Sequence, residues 1–235
     1  MDIPRLSFNK TDKITGIPII KQYSVKETYP IHSHDFFELF FVSKGKGTHC
    51  INGKSQLLEC GSLVFIRPDD IHSFKALNYF DFEMFSIGFP EEELLDTLKY
   101  LDIPLSKIVS PQLPAHFVIH GNEKAFIEQQ LEFMLVRNTK QERQKLFKVF
   151  LPLILYLLQE LEIEKCETEI FPKWLENLDN EMSKRENYIL GLPKMLEISM
   201  YSQEYLNRVF KRYFKITPTE YINSKSSINV HLINF

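Results

Sequence analysis

Four side chains near the start of this 235-residue chain have the types and spacing to hold a cation or a polar ligand: His32, His34, Glu38 and His72. Along a strand, residues two apart share a face, so His32 and His34 can point inward together, with Glu38 further along at the same parity. His72 would arrive from a second hairpin. Three imidazoles and one carboxylate form a plausible site for a first-row divalent metal. The same set also suits a metal-free polar ligand pocket, or core histidines with no ligand at all. Arg67 stands at the end of the strand before His72, where it could meet a phosphate or carboxylate, or simply be a solvated charge. His49, His116, His120 and His231 fall outside the pattern and read as surface or packed histidines. No nucleophile elbow or phosphate loop is present, and Gly45-Lys46-Gly47 reads as a turn.

A second constellation lies near the other end, in Ser202–Phe214 (SQEYLNRVFKRYF). Tyr205, Leu206, Val209, Phe210 and Tyr213 make one apolar helical stripe. Ser202 can cap the start, and Glu204 sits where the helix dipole favours negative charge. The opposite face carries Gln203, Asn207, Arg208, Lys211 and Arg212, which can read base edges or hold phosphates; the plainer alternative is a solvated face.

Elements must hold both sets in place. From Ile17 to Phe89 short aromatic and β-branched segments predict strands: 17–25, 36–43, 47–52, 54–59, 62–67, 72–77 and 78–89. Asn52-Gly53 is a type I′ hairpin signal. This part reads as a β-sandwich or small barrel. Helices are expected from Glu91, over Asn122–Arg137 and over Gln141–Glu164, with Pro152 kinking the last or shifting its start. The stretch containing Pro111 and Pro114 reads as a loop. The Gln141–Glu164 helix is apolar nearly all round, with Leu151 and Leu155 among its apolar positions. It either packs on its own barrel and neighbour or forms a dimer seam. Residues 162–170 read as a charged linker, after which Trp174, Leu175 and Leu178 would pack a further helix.

Around the basic helix, Gly191 and Pro193 open a short helix, LPKMLEIS, and Met200-Tyr201 separate the two, which is a helix-turn-helix layout. Thr217 and Glu220 form a capping box around Pro218, with Ile216 and Tyr221 spaced as its hydrophobic staple. The chain predicts an α+β architecture: a ligand-sensing barrel over 1–90, a helical coupling and dimerisation segment over 91–165, and an all-α DNA-binding part over 171–235.

Composition sets bounds. The 44% hydrophobic content is enough for a packed core. Cys50, Cys60 and Cys166 have no metal spacing and read as reduced thiols. The N-terminus shows no signal peptide. The longest apolar run, Val149–Leu158, falls short of the roughly 20 residues a bilayer span needs. A cytoplasmic protein without membrane contact is expected. Net charge is −3, yet residues 181–235 carry eight Lys or Arg against five Asp or Glu. A basic end on an acidic body suits a sensor joined to a DNA reader.

The segment LPKMLEISMYSQEYLNRVFKRYFKITPTEYI resembles the first helix-turn-helix of the AraC/XylS family of bacterial transcription regulators. It departs at Leu196, where the family usually has alanine, and at Met200, where it usually has glycine. A non-glycine residue in a left-handed turn costs on the order of 1 kcal/mol. The His32–Gly45 stretch, with Gly61 and His72, resembles the two motifs of the cupin barrel; Asp69 stands where glycine is usual and Pro68 is displaced by one. The run FFELFFVSKGKGTHCINGKSQLLECGSLVFIRPDDIHSF is similar to sensor domains of regulators of chitobiose and related β-glucoside operons.

These resemblances imply a ligand-responsive, sequence-specific DNA-binding regulator, dimeric, with a sugar or sugar phosphate as effector and double-stranded DNA as partner. Glu204, Asn207 and Arg208 would reach base edges, and Gln203, Lys211 and Arg212 the backbone. His32, His34, Glu38, Arg67 and His72 would bind the effector. The rival is a metal-dependent cupin enzyme, an isomerase or dioxygenase, against which the C-terminal helices argue. The family joins two helix-turn-helix units by a long helix. Here the resemblance stops near residue 223, and Ile228, Val230 and Leu232 alternate as in a strand. A regulator cut short after its first unit, dimerising but binding DNA weakly, is the further expectation.

Overall fold

The computed structural model describes residues 3–8, 17–22, 30–77, 82–109, 114–160 and 171–230, in two compact units. The expected linker over 162–170, the tail beyond 230 and parts of the strand segments 17–25 and 78–89 lie outside the described residues.

Among the described residues the first unit contains ten strands: β1 (Arg5–Leu6), β2 (Ile19–Gln22), β3 (Ser33–His34), β4 (Phe37–Lys44), β5 (Lys46–Ile51), β6 (Lys54–Glu59), β7 (Ser62–Ile66), β8 (His72–Ala76), β9 (Glu83–Phe89) and β10 (Ala115–Val118). They form a five-stranded sheet in the order β10-β7-β4-β9-β2, a three-stranded sheet in the order β6-β5-β8, and a short parallel pair, β1-β3. The β5–β6 turn is the expected type I′, with Asn52 and Gly53 both at positive φ (47° and 77°).

Central strand β4 is buried on both faces, which is why FELFFVS reads as an almost unbroken apolar run. Phe40 and Val42 face the three-stranded sheet and join Ile51, Leu58, Phe74 and Met84 in the core between the sheets. Phe37, Leu39 and Phe41 face the other way, into a core shared with the helices. Those helices are α1 (Glu91–Tyr100), α2 (Gly121–Leu135) and α3 (Lys140–Glu160). The layers therefore run three-stranded sheet, five-stranded sheet, helices.

Three expectations are corrected here. The Pro114 stretch is not wholly loop, because Ala115–Val118 forms β10 on β7. Proline lacks an amide donor, but here the strand starts just after it, at a sheet edge. Pro152 does not shift the helix start: α3 begins at Lys140 and carries the proline inside it. Leu151 and Leu155 are each 1% exposed and belong to the unit's own core, so they do not form a surface seam. Packing within the chain accounts for Phe147, Phe150, Leu151, Ile154, Leu155 and Leu158 of α3, while Val149 and Tyr156 stay exposed.

The second unit contains α4 (Lys173–Glu181), α5 (Arg185–Tyr188), α6 (Gly191–Ser199), α7 (Gln203–Tyr213) and α8 (Pro218–Val230). Leu175 and Leu178 are buried as expected, while Trp174 is half-buried, its ring 4.6 Å from that of Tyr201. Helix α8 opens on the expected capping box: Thr217 N donates to Glu220 Oε2 (2.7 Å) and Glu220 N donates to Thr217 Oγ1 (3.2 Å). It runs to Val230, so Ile228–Val230 is helical and not strand-like. Once a helix is nucleated, each added residue gains a hydrogen bond, and this outweighs a short alternating pattern. Buried Asp179 on α4 accepts hydrogen bonds from Tyr221 and, at 3.4 Å, from Lys225 Nζ, tying α4 to α8. Among the described residues no helix is long and apolar enough to cross a membrane.

Candidate functional site: a histidine-lined cavity and a basic helix

The cavity, about 250 Å³, opens beside β2, β3, β4 and β9. Its polar wall comprises His32, His34, Glu38, Ser86 and Gln22; its apolar wall includes Phe36, Phe74 and Met84. Strand parity sends Glu38 to the same face as Phe40. A backbone bridge joins His32 to His72, each N–H donating to the other's carbonyl (3.0 and 2.9 Å). That bridge brings the rings of His32 and His72 to 4.3 Å. At Gly88, on the cavity wall, a Cβ would stand 2.8 Å from the Phe36 ring, so the close approach there needs glycine.

His32, Glu38 and His72 each offer a ligand atom within 4.8 Å of the others. His34 Nε2 lies 3.3 Å from Glu38 Oε2 and His72 Nε2 lies 3.6 Å from it. Both of these ring nitrogens are buried without a hydrogen-bond partner. The donor set fits a divalent cation, with His32, Glu38 and His72 as the holding residues; His34 shares the cluster but falls outside that mutually close set. Burial works to raise the Glu38 carboxyl; against it act His34 and His72 in their protonated forms, together with the Ser86 hydroxyl, which donates to Glu38 Oε1. Burial pushes His72 down to about 4 against the pull of Glu38, and lowers His32 as well.

Arg67 stands apart from the cavity lining. Its guanidinium grips Asp70 through Nε (2.9 Å) and Nη2 (2.7 Å), and together these two residues order the turn before His72. His49 was not expected near the site, yet it is fully buried and its Nε2 lies 3.4 Å from His72 Nδ1. The cue was its inward parity on β5, which carries meaning only once the register His49↔Phe74 and Ile51↔His72 is known. His116 is buried against Ser62 Oγ (3.0 Å), away from the cavity, and His120 is exposed; His231 lies outside the described residues.

In the second unit, α7 has the two faces expected of it. Leu206, Val209, Phe210 and Tyr213 are buried, and Ser202 Oγ accepts from Tyr205 N (3.2 Å) as the cap. Gln203, Glu204, Arg208, Lys211 and Arg212 are exposed, and Asn207 is half-buried. Met200, between α6 and α7, takes the left-handed conformation (φ 60°, ψ 16°). The basic residues of this face, Arg208, Lys211 and Arg212, are thus displayed along the middle and last turn of the second helix of a helix-turn-helix pair.

Comparison with known proteins agrees with this division. Residues 16–134 match the AraC-like ligand binding domain, and residues 196–223 match the bacterial regulatory helix-turn-helix proteins of the AraC family. The HTH-type transcriptional activator RhaR of Cronobacter sakazakii is 33% identical over 72 residues, covering 31% of this chain and 25% of the relative. The HTH-type transcriptional activator RhaS of Mannheimia succiniciproducens is 29% identical over 114 residues, covering 48% and 41%. The chain thus spans less than half the length of these curated relatives. Apo ToxT of Vibrio cholerae is 12% identical, with 93% and 83% of the two chains covered and a TM-score of 0.49. Because the ligand-domain match takes in half of the polypeptide, and its helix-turn-helix match follows in the same chain, this protein belongs to the AraC family.

Proposed function

We propose that the chain is a ligand-responsive, sequence-specific DNA-binding transcription regulator, in which the first unit's cavity binds a small polar effector and α7 enters the major groove. The observation that carries this reading is the split surface of α7: four apolar side chains are buried on one side, and an exposed face carries Gln203, Glu204, Arg208, Lys211 and Arg212. Asn207 and Arg208, with Glu204, are assigned to base edges; Gln203, Lys211 and Arg212 are assigned to phosphates. The relatives' names as transcriptional activators support a regulator over a cupin enzyme.

A sugar is the effector class this cavity suits best, since its lining combines the aromatic surface of Phe36 and Phe74 with the hydrogen-bonding groups of His32, His34, Glu38, Ser86 and Gln22. A homodimer is the proposed assembly. The exposed apolar side chains of the helical layer, Val136 (64% exposed) and Val149 (67%), support it.

Selection of duplexes from a random-sequence pool by the full chain tests the DNA reading. Arg208→Ala should relax preference at one base position by about 1–3 kcal/mol, and Lys211→Ala should lower the salt slope by about 1 without changing the preferred sequence. Failure to enrich any sequence would refute the reading.

A further inference from the structure

Gln56, His49 and His72 face inward in a row across the three-stranded sheet. Gln56 on β6 pairs with His49 on β5, and His49 Nε2 reaches His72 Nδ1 on β8. Gln56 Oε1 lies 3.4 Å from His49 Nδ1, and His49 Nε2 lies 3.4 Å from His72 Nδ1. All three residues are at most 1% exposed, so water does not compete. A neutral imidazole carries one N–H, so fixing one ring nitrogen fixes the other. The amide oxygen of Gln56 can only accept; His49 must therefore donate from Nδ1 and accept at Nε2. His72 must then donate from Nδ1, which leaves its Nε2 as a lone pair aimed at Glu38. His34 reaches the same state by another route, because its Nδ1–H donates to the Phe36 carbonyl (2.7 Å). Among the described residues, His72 Nε2, His34 Nε2 and the Gln56 amide nitrogen are the buried side-chain atoms without a partner.

We propose that Gln56 and His49 are positioning residues that hold His72 with its proton on Nδ1, so that the cavity's cluster presents acceptors only and selects cations or hydroxyl donors over anions. This rests on the reading of the cavity as the effector site. Two imidazole lone pairs and the Glu38 carboxylate converge within 3.3–3.6 Å. The described lining holds no Lys or Arg to offset them. A phosphate or carboxylate placed there would lose its hydration and meet lone pairs and a like charge. A sugar hydroxyl would donate to them, and a divalent cation would be coordinated by them. The effector of this cavity is accordingly an unphosphorylated polyol or a metal ion.

The test is long-range ¹H–¹⁵N NMR of the imidazoles in the full chain, with cobalt(II) and inorganic phosphate as probes. The proposal expects His34 and His72 as Nδ1–H tautomers before any probe is added. His49→Phe should shift His72 toward a mixture and weaken cobalt binding by about 10–100-fold, the usual cost of losing the partner behind a metal-ligating histidine. Gln56→Glu, which can only accept, should preserve both tautomer and affinity, whereas Gln56→Met should behave like His49→Phe. Finding His72 protonated at Nε2, with the Gln56 amide reversed, would overturn the proposal, and this measurement needs no variant. Unchanged tautomer and affinity in His49→Phe would overturn it too, as would phosphate shifting these ring nitrogens at millimolar concentration. Should the unmodified chain take up no cobalt while its tautomers are as proposed, the relay is supported and the metal reading alone falls.

Discussion

Met200 offers a direct measure of strain in the helix-turn-helix. It adopts φ 60° and ψ 16°, and 87% of its surface is exposed. For a residue with a Cβ this conformation costs about 1–2 kcal/mol, which glycine escapes. Glycine in turn has more freedom to lose from the unfolded chain, by about 0.4–1 kcal/mol. Because the side chain is exposed, truncation forfeits little packing. Met200→Gly should therefore stabilise the second unit by about 0.5–1 kcal/mol, or a rise of several degrees in its unfolding temperature. Met200→Ala keeps the Cβ and should change stability by no more than about 0.5 kcal/mol. The chain's single tryptophan, Trp174, lies in this unit beside Tyr201, so its fluorescence during heating of the full chain reports this unit directly. A lower unfolding temperature for Met200→Gly, or an equal gain for Met200→Ala, would show that the turn is not strained in the way its geometry implies.

Leu151→Ala should destabilise the first unit by about 2–5 kcal/mol in chemical denaturation, because the side chain fills the unit's own core; sedimentation of the soluble variant should match that of the unmodified chain. Asp179→Asn should cost the second unit about 3–5 kcal/mol by leaving buried Lys225 without its counter-charge, and Tyr221→Phe distinctly less, both followed by Trp174 fluorescence. Burial pushes His116 down to about 4, against an opposing pull from Glu59, so between about pH 6.5 and pH 4 the unfolded chain binds a proton that the folded chain refuses. Stability of the first unit should accordingly fall as pH drops through that window, and His116→Gln should flatten part of the slope in denaturation curves taken at stepped pH.

Features set by neighbours in sequence were the legible ones. Asn52-Gly53, the Ser202 cap and the Thr217–Glu220 box each depend on residues within one turn, and each forms as expected. The spacing of His32, His34 and Glu38 singled them out, but no one strand carries all three: His34 ends β3, Glu38 lies in β4 beyond a bend, and His32 is placed by its bridge to His72. What escaped depends on register between distant segments. His49 joins His72 only because β5 and β8 pair with Ile51 opposite His72. Arg67 is held by Asp70 three residues on, a carboxylate visible in the sequence but indistinguishable there from its neighbour Asp69. β10 was hidden because a strand on a sheet edge can begin directly after proline. The apolar surround of α3 could not tell an intramolecular layer from a second copy, since both bury the same kinds of side chain.

Strand β4 is a party wall. Its even-numbered residues furnish the cavity and the core between the sheets, its odd-numbered residues support the helices, and every position from Phe37 to Ser43 is buried. A substitution there disturbs two compartments at once, so this strand has little room to vary. The four residues of β2 sit at the sheet's edge, where Ile20 and Gln22 line the cavity while Lys21, on the reverse face, bonds Glu132 of α2. Descendants of this sequence can therefore acquire new ligand preferences by exchanging residues 20 and 22 at small structural cost. A lineage that kept β4 and varied β2 would change what it recognises without rebuilding how it folds.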